Sequence, residues 1–304
     1  MQGRCFAVKK RKKKIALAVA AVLVVLAGAA AVYFACMPDL TVYYNASDGA
    51  AWQVQTKTGV RQKIELPGYE NVSFVTPFDG GWYACAEKGG QSYFVLVQGG
   101  QVCGELSVQT LGSGGHVDEM YAADGGLYAS CFTGEDVKML FVDFENAQVS
   151  ELPAEQTNYP TYLCAAGRTV LLGGIGRDNV PRLYRYQGGQ LQALVAGGEP
   201  VLLNETQFLY TDDESGDLML YDLTAGTSQP AGQKVDFSKY RETEWDVPAV
   251  AGKYLAGVRS GFSYGRPNSL FSGVTVTDME SGFTFWLPTM FGQQVYGVKA
   301  VCNT

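Results

Sequence analysis

Short apolar segments followed by tight turns recur along this chain about every 40 to 50 residues. Each recurrence reads as an apolar strand, a turn that contains Gly or Asn, and a second strand. The six copies are WQVQTKTGVRQKIEL (52–66), FVLVQGGQVCGEL (94–106), LFVDFENAQVSEL (140–152), YRYQGGQLQAL (184–194), MLYDLTAGTSQPA (219–231) and VTVTDMESGFTFWL (274–287). A fixed period of this size is typical of repeat proteins, and four short strands in each period predict a β-propeller.

Each full repeat divides into four strands, which we call A to D in chain order. The pattern predicts strands at 72–77, 81–86, 91–98 and 101–108 in unit two, and at 117–123, 126–132, 137–144 and 147–152 in unit three. Units four, five and six begin near residues 161, 199 and 245. The segment from Tyr93 to Val97 is apolar on both faces, as expected for a blade packed between two neighbouring blades.

The two ends of the repeat region predict how the ring closes. Unit one supplies strand B at 41–47 and strands C and D within 50–66, but nothing before residue 40 can serve as strand A. The segment QQVYGVKA (293–300) is left over after unit six, and we expect it to be the missing strand. The predicted fold is therefore an all-β, six-bladed β-propeller closed by a C-terminal strand that completes blade one. Two tandem β-sandwiches are the alternative.

Two short motifs carry a resemblance to a known group of proteins. They are Tyr43-Tyr44-Asn45-Ala46-Ser47-Asp48-Gly49 in unit one and Leu209-Tyr210-Thr211-Asp212 in unit five. On these motifs, residues 40–304 resemble the six-bladed propellers of the TolB-like and YWTD-type group. The resemblance implies binding or scaffolding more often than catalysis. No unit contains an intact Tyr-Trp-Thr-Asp, so no ligand-binding residue transfers from that group.

The N-terminal segment predicts a membrane anchor. Ile15 to Ala35 is 21 residues long and carries no charge. A helix of that length spans about 31 Å, which matches the hydrocarbon core of a bilayer. The basic run Lys9 to Lys14 should stay in the cytoplasm. We therefore expect a cytoplasmic tail at 1–14, a transmembrane helix at 15–36 and an extracytoplasmic propeller at 37–304.

Two alternatives to a retained anchor stay open. The small residues from Ala27 to Ala31 are compatible with a signal-peptidase site after a shorter apolar region. The segment Tyr33-Phe34-Ala35-Cys36 has some similarity to a lipoprotein cleavage motif, although Tyr and Phe do not suit its small or aliphatic positions.

The charge is divided sharply between the tail and the rest of the chain. Seven of the 23 Lys and Arg residues lie in 1–36, which contains no acid, so the remainder has 16 basic and 30 acidic side chains and a net charge of −14. Such an acidic body should repel nucleic acid. Five of the seven cysteines lie in the body, without a CxxC spacing, which favours neither a disulfide framework nor a zinc site.

The order of strands predicts two different faces. The A–B and C–D turns lie at one end of the blades, which we call the short-turn face. The B–C and D–A connections lie at the other end, the long-loop face, and include 108–116, 153–160, 175–180, 232–244 and 259–269. Long loops on a rigid scaffold are common binding sites. Because strand B of blade one starts close behind the anchor, we expect the short-turn face to look at the membrane.

Catalytic motifs are weak. Residues 261–265 match GxSxG, but that motif needs a strand–turn–helix setting and a later His, whereas His116 is the only histidine and comes earlier. His116 itself is interpreted as an ordinary surface residue. The acidic loop with Asp212, Asp213, Glu214 and Asp217 is interpreted as a solvated turn, since the spacing of a calcium loop is absent. Glu135 and Asp136 are weak candidates for acid–base work.

The best binding candidate is the aromatic and basic segment at 259–268, because Arg and aromatic side chains are enriched at binding hot spots. The predicted binding residues are Arg259, Phe262, Tyr264 and Arg266, joined on the same face by Arg177, Asp178 and Tyr159. An equally good alternative is that this segment folds over its own ring. No catalytic residue, metal ligand or cofactor is predicted.

Together these features predict a membrane-anchored extracytoplasmic propeller that binds a protein or a cell-envelope component through its long-loop face. One alternative is a carboxylate-based enzyme that acts on a glycan or small molecule in the central channel. A structural ectodomain in a larger membrane complex is another.

Overall fold

The computed structural model describes residues 2–108, 116–123, 125–134, 136–153, 157–232, 248–263, 266–289 and 293–303. Side chains are described in these ranges except at 2–18, 157–159, 259–263, 266–271 and 303. One helix, α1 (Gln2–Cys36), precedes a body built from antiparallel strands.

The first three blades occupy the N-terminal half of the body. Blade 1 begins with β1 (Leu40–Ala46), β2 (Ala51–Gln55) and β3 (Arg61–Lys63). Blade 2 contains β4 (Asn71–Phe78), β5 (Gly81–Lys88), β6 (Gln91–Gln98) and β7 (Gln101–Ser107). Blade 3 contains β8 (His116–Ala123), β9 (Gly126–Phe132), β10 (Val137–Asp143) and β11 (Gln148–Glu151). These bounds lie within a few residues of the predicted strands of units one to three.

The C-terminal half supplies the other blades and the closing strand. Blade 4 contains β12 (Thr157–Ala166), β13 (Thr169–Gly176), β14 (Pro181–Gln187) and the first part of β15 (Gln190–Asn204). Blade 5 contains the second part of β15 with β16 (Gln207–Asp212), β17 (Leu218–Asp222) and β18 (Thr227–Pro230). Blade 6 contains β19 (Ala249–Ala251), β20 (Tyr254–Ser263), β21 (Arg266–Asp278) and β22 (Thr284–Pro288), and β23 (Val295–Asn303) follows it.

The sheets form a closed ring. Among the described residues there are four four-stranded sheets and one seven-stranded sheet, and dividing the latter within β15 gives six four-stranded units. Their inner strands contact each other in the order β23, β4, β8, β12, β15, β19 and back to β23. The predicted β-propeller is confirmed, whereas tandem β-sandwiches have no such ring.

The C-terminal strand completes blade 1, as the leftover segment predicted. Strand β23 pairs antiparallel with β1 from Leu40 opposite Asn303 to Ala46 opposite Val295. Because the first and last strands belong to the same sheet, opening this blade would expose the backbone edge of β1. The two ends of the propeller thus hold each other in place.

The hydrophobic core lies between successive blades. Phe94 is fully buried against blade 3, whereas its neighbours Val95 and Val97 are buried against blade 1. This alternation confirms the interpretation of the doubly apolar strand, because successive side chains of a strand point to opposite faces. Burying one such large side chain contributes about 2–3 kcal/mol.

The repeated Asp-Gly-Gly turns have a structural reason. Gly80 has a φ of 90°, a conformation that favours glycine. At the next position, a Cβ added to Gly81 would lie 2.2 Å from the carbonyl oxygen of Val97. The equivalent Gly126 in blade 3 would place its Cβ 2.5 Å from the carbonyl oxygen of Val142. The second glycine therefore lets strand B start directly against strand C.

Candidate functional site

A small cavity lies on the axis of the propeller, with a volume of about 210 Å³. It is lined by residues from all the inner strands and by Pro248, which precedes β19. The lining residues are Thr76, Pro77, Tyr121, Ala122, Cys164, Ala165, Ala166, Leu202, Pro248, Ala249, Val250, Lys299, Ala300 and Val301. Among these described residues there is no carboxylate, so the convergence of acids that a channel enzyme would need is not seen in this lining.

Lys299 is the charged side chain in that lining. Its ammonium group donates a hydrogen bond to the backbone oxygen of Asp118 at 3.3 Å and lies 5.0 Å from the ring centroid of Phe74. The carbonyl oxygen and the face of the ring both favour a cation. Lys299 is thereby held between blades 1, 2 and 3, and its charge is used to join them.

His116 and Asp118 form a pair at the start of β8. The Nε2 atom of His116 lies 3.0 Å from Oδ1 of Asp118, and the imidazole also contacts the ring of Phe132 at 5.5 Å. Burial raises the pKa of the Asp118 carboxyl group, and the nearby His116 and Lys299 oppose that rise. Because His116 is largely exposed, this pair contributes little to stability.

A larger cavity of about 700 Å³ opens on the short-turn face, across blades 2 to 5. One wall is a stack of three rings, with Tyr83 lying 4.6 Å from Phe78 and 5.4 Å from Phe144 between centroids. The charged residues of its rim are Asp79, Asp143, Glu145, Arg168 and Glu205. Sequence reasoning placed binding on the opposite face and did not select these residues, because they are spread over ordinary turns of four different blades.

The predicted binding segment of blade 6 is a long hairpin and not a loop. Strands β20 and β21 stay paired from Tyr254 opposite Asp278 out to Ser263 opposite Arg266. Strand β22 accompanies β21 only as far as Gly273. Beyond that point, residues 261–263 pair with residues 266–268 as a two-stranded arm. Antiparallel pairing simply continues past the end of the blade, which the glycine-rich sequence did not reveal.

The side chains predicted to bind on this arm are outside the described residues. This applies to the side chains of Arg259, Phe262 and Arg266, and to Tyr264 as a whole. Ser263 is the last residue of β20, and the next described residue, Arg266, begins another strand, β21. The GxSxG match therefore lacks the strand–turn–helix setting of a nucleophile elbow.

The other predicted binding residues lie in blade 4. The side chain of Tyr159 is outside the described residues, although its backbone pairs with Ile175 in a strand that begins earlier than predicted. Arg177 and Asp178 occupy the B–C turn of the same blade. Blade 5 lies between this turn and the arm of blade 6, so the sequence grouped residues that the fold distributes around one face.

Asp178 is engaged within its own turn. Its two carboxylate oxygens accept hydrogen bonds from Arg182 at 2.5 and 2.6 Å. The Arg182 guanidinium holds the pKa of this carboxyl group down to about 2. A fork of two parallel bonds fixes the side chain of Asp178 towards strand β14.

The acidic loop of blade 5 is a hydrogen-bonded turn. Asp212 accepts hydrogen bonds from the backbone and the hydroxyl group of Ser215, at 3.0 and 2.9 Å, which lowers the pKa of the carboxyl group. In the part of the chain that the structure describes, no group of three or more His, Cys, Asp or Glu side chains could hold a metal ion. Glu135 is outside the described residues.

The end of α1 is built into blade 6. The Tyr33 hydroxyl donates a hydrogen bond to the backbone oxygen of Trp286 at 3.2 Å and accepts one from the backbone nitrogen of the same residue at 2.5 Å. Its ring contacts Phe285 at 5.5 Å, Phe283 at 6.5 Å and Phe34 at 5.7 Å between centroids. Sequence reasoning missed this contact, although the aromatic pair at the end of an apolar segment was a usable signal.

Blade 1 holds the other side of the same junction. The ammonium group of Lys57 lies 2.9 Å from the carbonyl oxygens of Ala35 and Met37. The last carbonyl groups of a helix lack partners within the helix and carry partial negative charge, so a lysine here stabilises the helix end. Met37 follows directly and is 1% exposed, inside the cluster between blades 6 and 1.

The next residues after the helix are also fixed. The Thr56 hydroxyl donates a hydrogen bond to the backbone oxygen of Pro38 and accepts one from the backbone nitrogen of Leu40 at 3.0 Å. Both Thr56 and Leu40 are buried. The chain therefore passes from the helix into strand β1 without a free linker.

The helix itself has the length and composition of a membrane-spanning segment. Within it, Val19–Cys36 is an apolar stretch of 18 residues, none of which is buried. A signal sequence near the N-terminus would have the same properties. Residues 19–36 therefore form an exposed apolar helix, and the folded propeller is attached to its C-terminal end.

Solved structures with the same architecture identify the fold. The chain has the fold of the TolB propellers. TolB from Acinetobacter baumannii is 12% identical, with a TM-score of 0.56 over 86% of this chain and 66% of that chain. The putative TolB from Agrobacterium tumefaciens is 15% identical, with a TM-score of 0.51 over 86% of this chain and 98% of that chain.

A chain of the Nidogen/Laminin complex is 11% identical, with a TM-score of 0.52 over 86% of this chain and 97% of that chain. At such identities the likeness shows the fold alone. The resemblance of the repeats to TolB-like and YWTD-type propellers is confirmed at that level. No family model matches the sequence, and no curated protein matches it.

Proposed function

We propose that this protein is a membrane-anchored propeller that lies outside the cytoplasm and binds a protein or a cell-envelope component. The main observation in favour of a membrane anchor is the change from exposed to buried residues at the end of α1. The apolar residues of Val19–Cys36 are exposed, whereas Met37 is inside the propeller core. An exposed apolar helix of this length needs lipid around it, because exposing it to water is costly.

The direction of insertion follows from charge. The basic run Lys9 to Lys14 lies on the N-terminal side of the apolar stretch, and positive charges are retained in the cytoplasm. The propeller, with its net charge of −14 over residues 37–304, then lies on the other side. Cleavage before Cys36 would remove Tyr33 and leave the outward backbone groups of Trp286 without their partner.

Two native cysteines test this topology. Cys5 lies in the basic tail, and Cys103 is exposed on strand β7 of the propeller. In intact cells, a membrane-impermeant maleimide should label Cys103, and should label Cys5 only after the membrane is permeabilised. The variant Cys103→Ser provides the matched control. Labelling of Cys5 in intact cells would reverse the orientation, and loss of residues 1–31 from the mature protein would show a signal sequence.

The partner is proposed to be a protein or an envelope component at the long-loop face. The support is the two-stranded arm of blade 6, in which residues 260–263 of β20 continue past the end of strand β22. At about 3.3 Å per residue, this part of the strand is about 13 Å long. Extended arms on rigid scaffolds are suited to binding. One structural neighbour belongs to the Nidogen/Laminin complex, and so was solved with a protein partner.

Crosslinking and affinity capture from intact membranes test this part. The triple variant Phe262→Ala, Tyr264→Ala, Arg266→Ala should lose the partner while it keeps its circular dichroism spectrum. A matched triple variant on the short-turn face, Gln98→Ala, Gln187→Ala, Gln190→Ala, should retain it, since all three side chains are exposed there. Loss in the second variant and not in the first would move the site to the short-turn face.

A further inference from the structure

The junction between the helix and the propeller carries exposed apolar side chains that neither the core of the propeller nor the proposed binding face explains. Phe34 on the last turn of α1 is 48% exposed, and Phe283 in the C–D turn of blade 6 is 52% exposed. Val60 in the neighbouring C–D turn of blade 1 is 58% exposed. All three lie beside the point where the helix meets the body, at the short-turn end of blades 6 and 1.

The aromatic rings form one continuous cluster from the helix to the blade. Phe283 and Phe285 are 4.9 Å apart between centroids, and Tyr33 joins both of them to Phe34. Phe285 is buried, so the cluster has a fixed inner side and an outer side formed by Phe34 and Phe283. Phe34 and Phe283 are not needed to cover the core, because Phe285 already covers it.

The position of this cluster along the helix matches the edge of a bilayer. The apolar stretch ends at Cys36, and Tyr33 and Phe34 lie within its last turn. Each residue of a helix advances about 1.5 Å, so both rings lie within about 5 Å of the end of the apolar segment. Phe283 touches Tyr33 and therefore lies at about the same depth. Aromatic side chains are enriched at this level of a membrane.

Rigid attachment keeps the turns at that depth. Lys57 binds the carbonyl oxygens of Ala35 and Met37, and the residues after them are buried. Without a free linker, the propeller cannot move away from the surface into which its helix is inserted. The body has a net negative charge, so anionic lipids do not attract it as a whole. The apolar contact at this junction is supplied by the exposed side chains of Phe34, Phe283 and Val60.

We propose that the blade 6 end of the short-turn face is a lipid-contacting surface, with Phe34 and Phe283 in the interfacial layer of the bilayer. This inference rests on the proposed membrane anchor. The partner of this surface is the membrane itself. The contact orients the propeller on the membrane and leaves the arm of blade 6 at the opposite end of the same blade.

A pair of photoreactive variants tests the proposal on the full chain. Benzoylphenylalanine replaces Phe283 in one variant and Tyr296 in the other. Tyr296 is the matched control, because it is an aromatic residue 50% exposed at the long-loop end of β23. Both variants are reconstituted into vesicles of phosphatidylcholine and phosphatidylglycerol, irradiated, and analysed for lipid adducts by mass spectrometry.

The proposal predicts at least about fivefold more lipid adduct at position 283 than at position 296, with the same yield at low and high salt. Equal yields at the two positions, or adducts of position 283 with a second protein chain in place of lipid, would overturn it. Flotation of the vesicles separates this failure from that of the anchor. A chain that floats but gives equal yields is anchored without the contact, whereas a chain that does not float refutes the anchor and the contact together.

Discussion

The Tyr33 hydroxyl group binds both the backbone nitrogen and the backbone oxygen of Trp286, at 2.5 and 3.2 Å. Trp286 lies in the outermost strand of blade 6, and among the described residues no further strand pairs with its outer side. A single side chain from the helix thus satisfies two groups that would otherwise need water or another strand. The two hydrogen bonds of Tyr33 therefore join the helix to the outer edge of blade 6.

Removing this hydroxyl group should loosen the junction. We expect Tyr33→Phe to lower the free energy of unfolding by about 1–2 kcal/mol, because two hydrogen bonds are lost while the ring contacts remain. Urea unfolding of the detergent-solubilised chain, followed by tryptophan fluorescence, measures this value. Tyr296→Phe is the control and should change stability by less than about 0.5 kcal/mol. Equal effects of the two variants would contradict a special role for Tyr33.

The buried hydroxyl group of Thr56 should matter more than its size suggests. Thr56→Val keeps the shape of the side chain but leaves the nitrogen of Leu40 and the oxygen of Pro38 without a partner. We expect a loss of about 2–4 kcal/mol, since both groups are buried. The exposed Thr58→Val in the same turn should be within about 0.5 kcal/mol of the parent chain. Thermal unfolding of both variants compares them, and similar midpoints would refute the prediction.

The closing strand should be required for the whole ring. Val298 is 6% exposed on β23, whereas Tyr296 on the same strand is 50% exposed. Val298→Asp should destabilise the propeller by about 3 kcal/mol or more, because it places an unpaired charge in the core. Tyr296→Asp should leave the melting temperature nearly unchanged. If both variants melted alike, β23 would not be part of the cooperative fold.

The ion pair of Asp178 with Arg182 predicts a pH dependence. The pKa of Asp178 is about 2 in the folded chain and about 3.9 in an unfolded one. Since the folded value is the lower one, the pair stabilises the fold fully above about pH 4 and loses this effect as the pH falls towards 2. In Arg182→Met, an NMR titration should find the pKa of Asp178 raised towards 3.9. Arg177→Met is the control. A similar rise of the Asp178 pKa in this control would contradict the assignment of the shift to Arg182.

Much of the propeller could be predicted from the chain alone because its repeats are local. Strands of blades 2 and 3 were predicted within a few residues, since each pairs with its neighbour in sequence through a turn of two to four residues. The closing strand was also predictable, because blade 1 lacked one strand and residues 293–300 had no other place. Alternating burial of Phe94 and Val95 followed from the period of a strand.

The candidate sites were less predictable, because they depend on contacts between residues far apart in sequence. Tyr33 and Trp286 are separated by 253 positions, and no period relates them. The cavity of the short-turn face combines Phe144, Arg168 and Glu205 from three different blades. Arg177 and the arm of blade 6 were grouped by residue type, yet the ring places blade 5 between them.

The sequence by itself determined the repeat, the closure of the ring and the apolar N-terminal helix, because these follow from patterns of neighbouring residues. Only the tertiary structure decided that Met37, directly after the helix, is buried in the propeller core, that residues 261–263 and 266–268 form a paired arm, and that the larger cavity lies on the short-turn face. The burial of Met37 and the cavity arise where separate blades meet, and packing between blades leaves no periodic trace in the chain. The arm arises because β20 and β21 stay paired beyond the end of β22, which the local pattern does not mark.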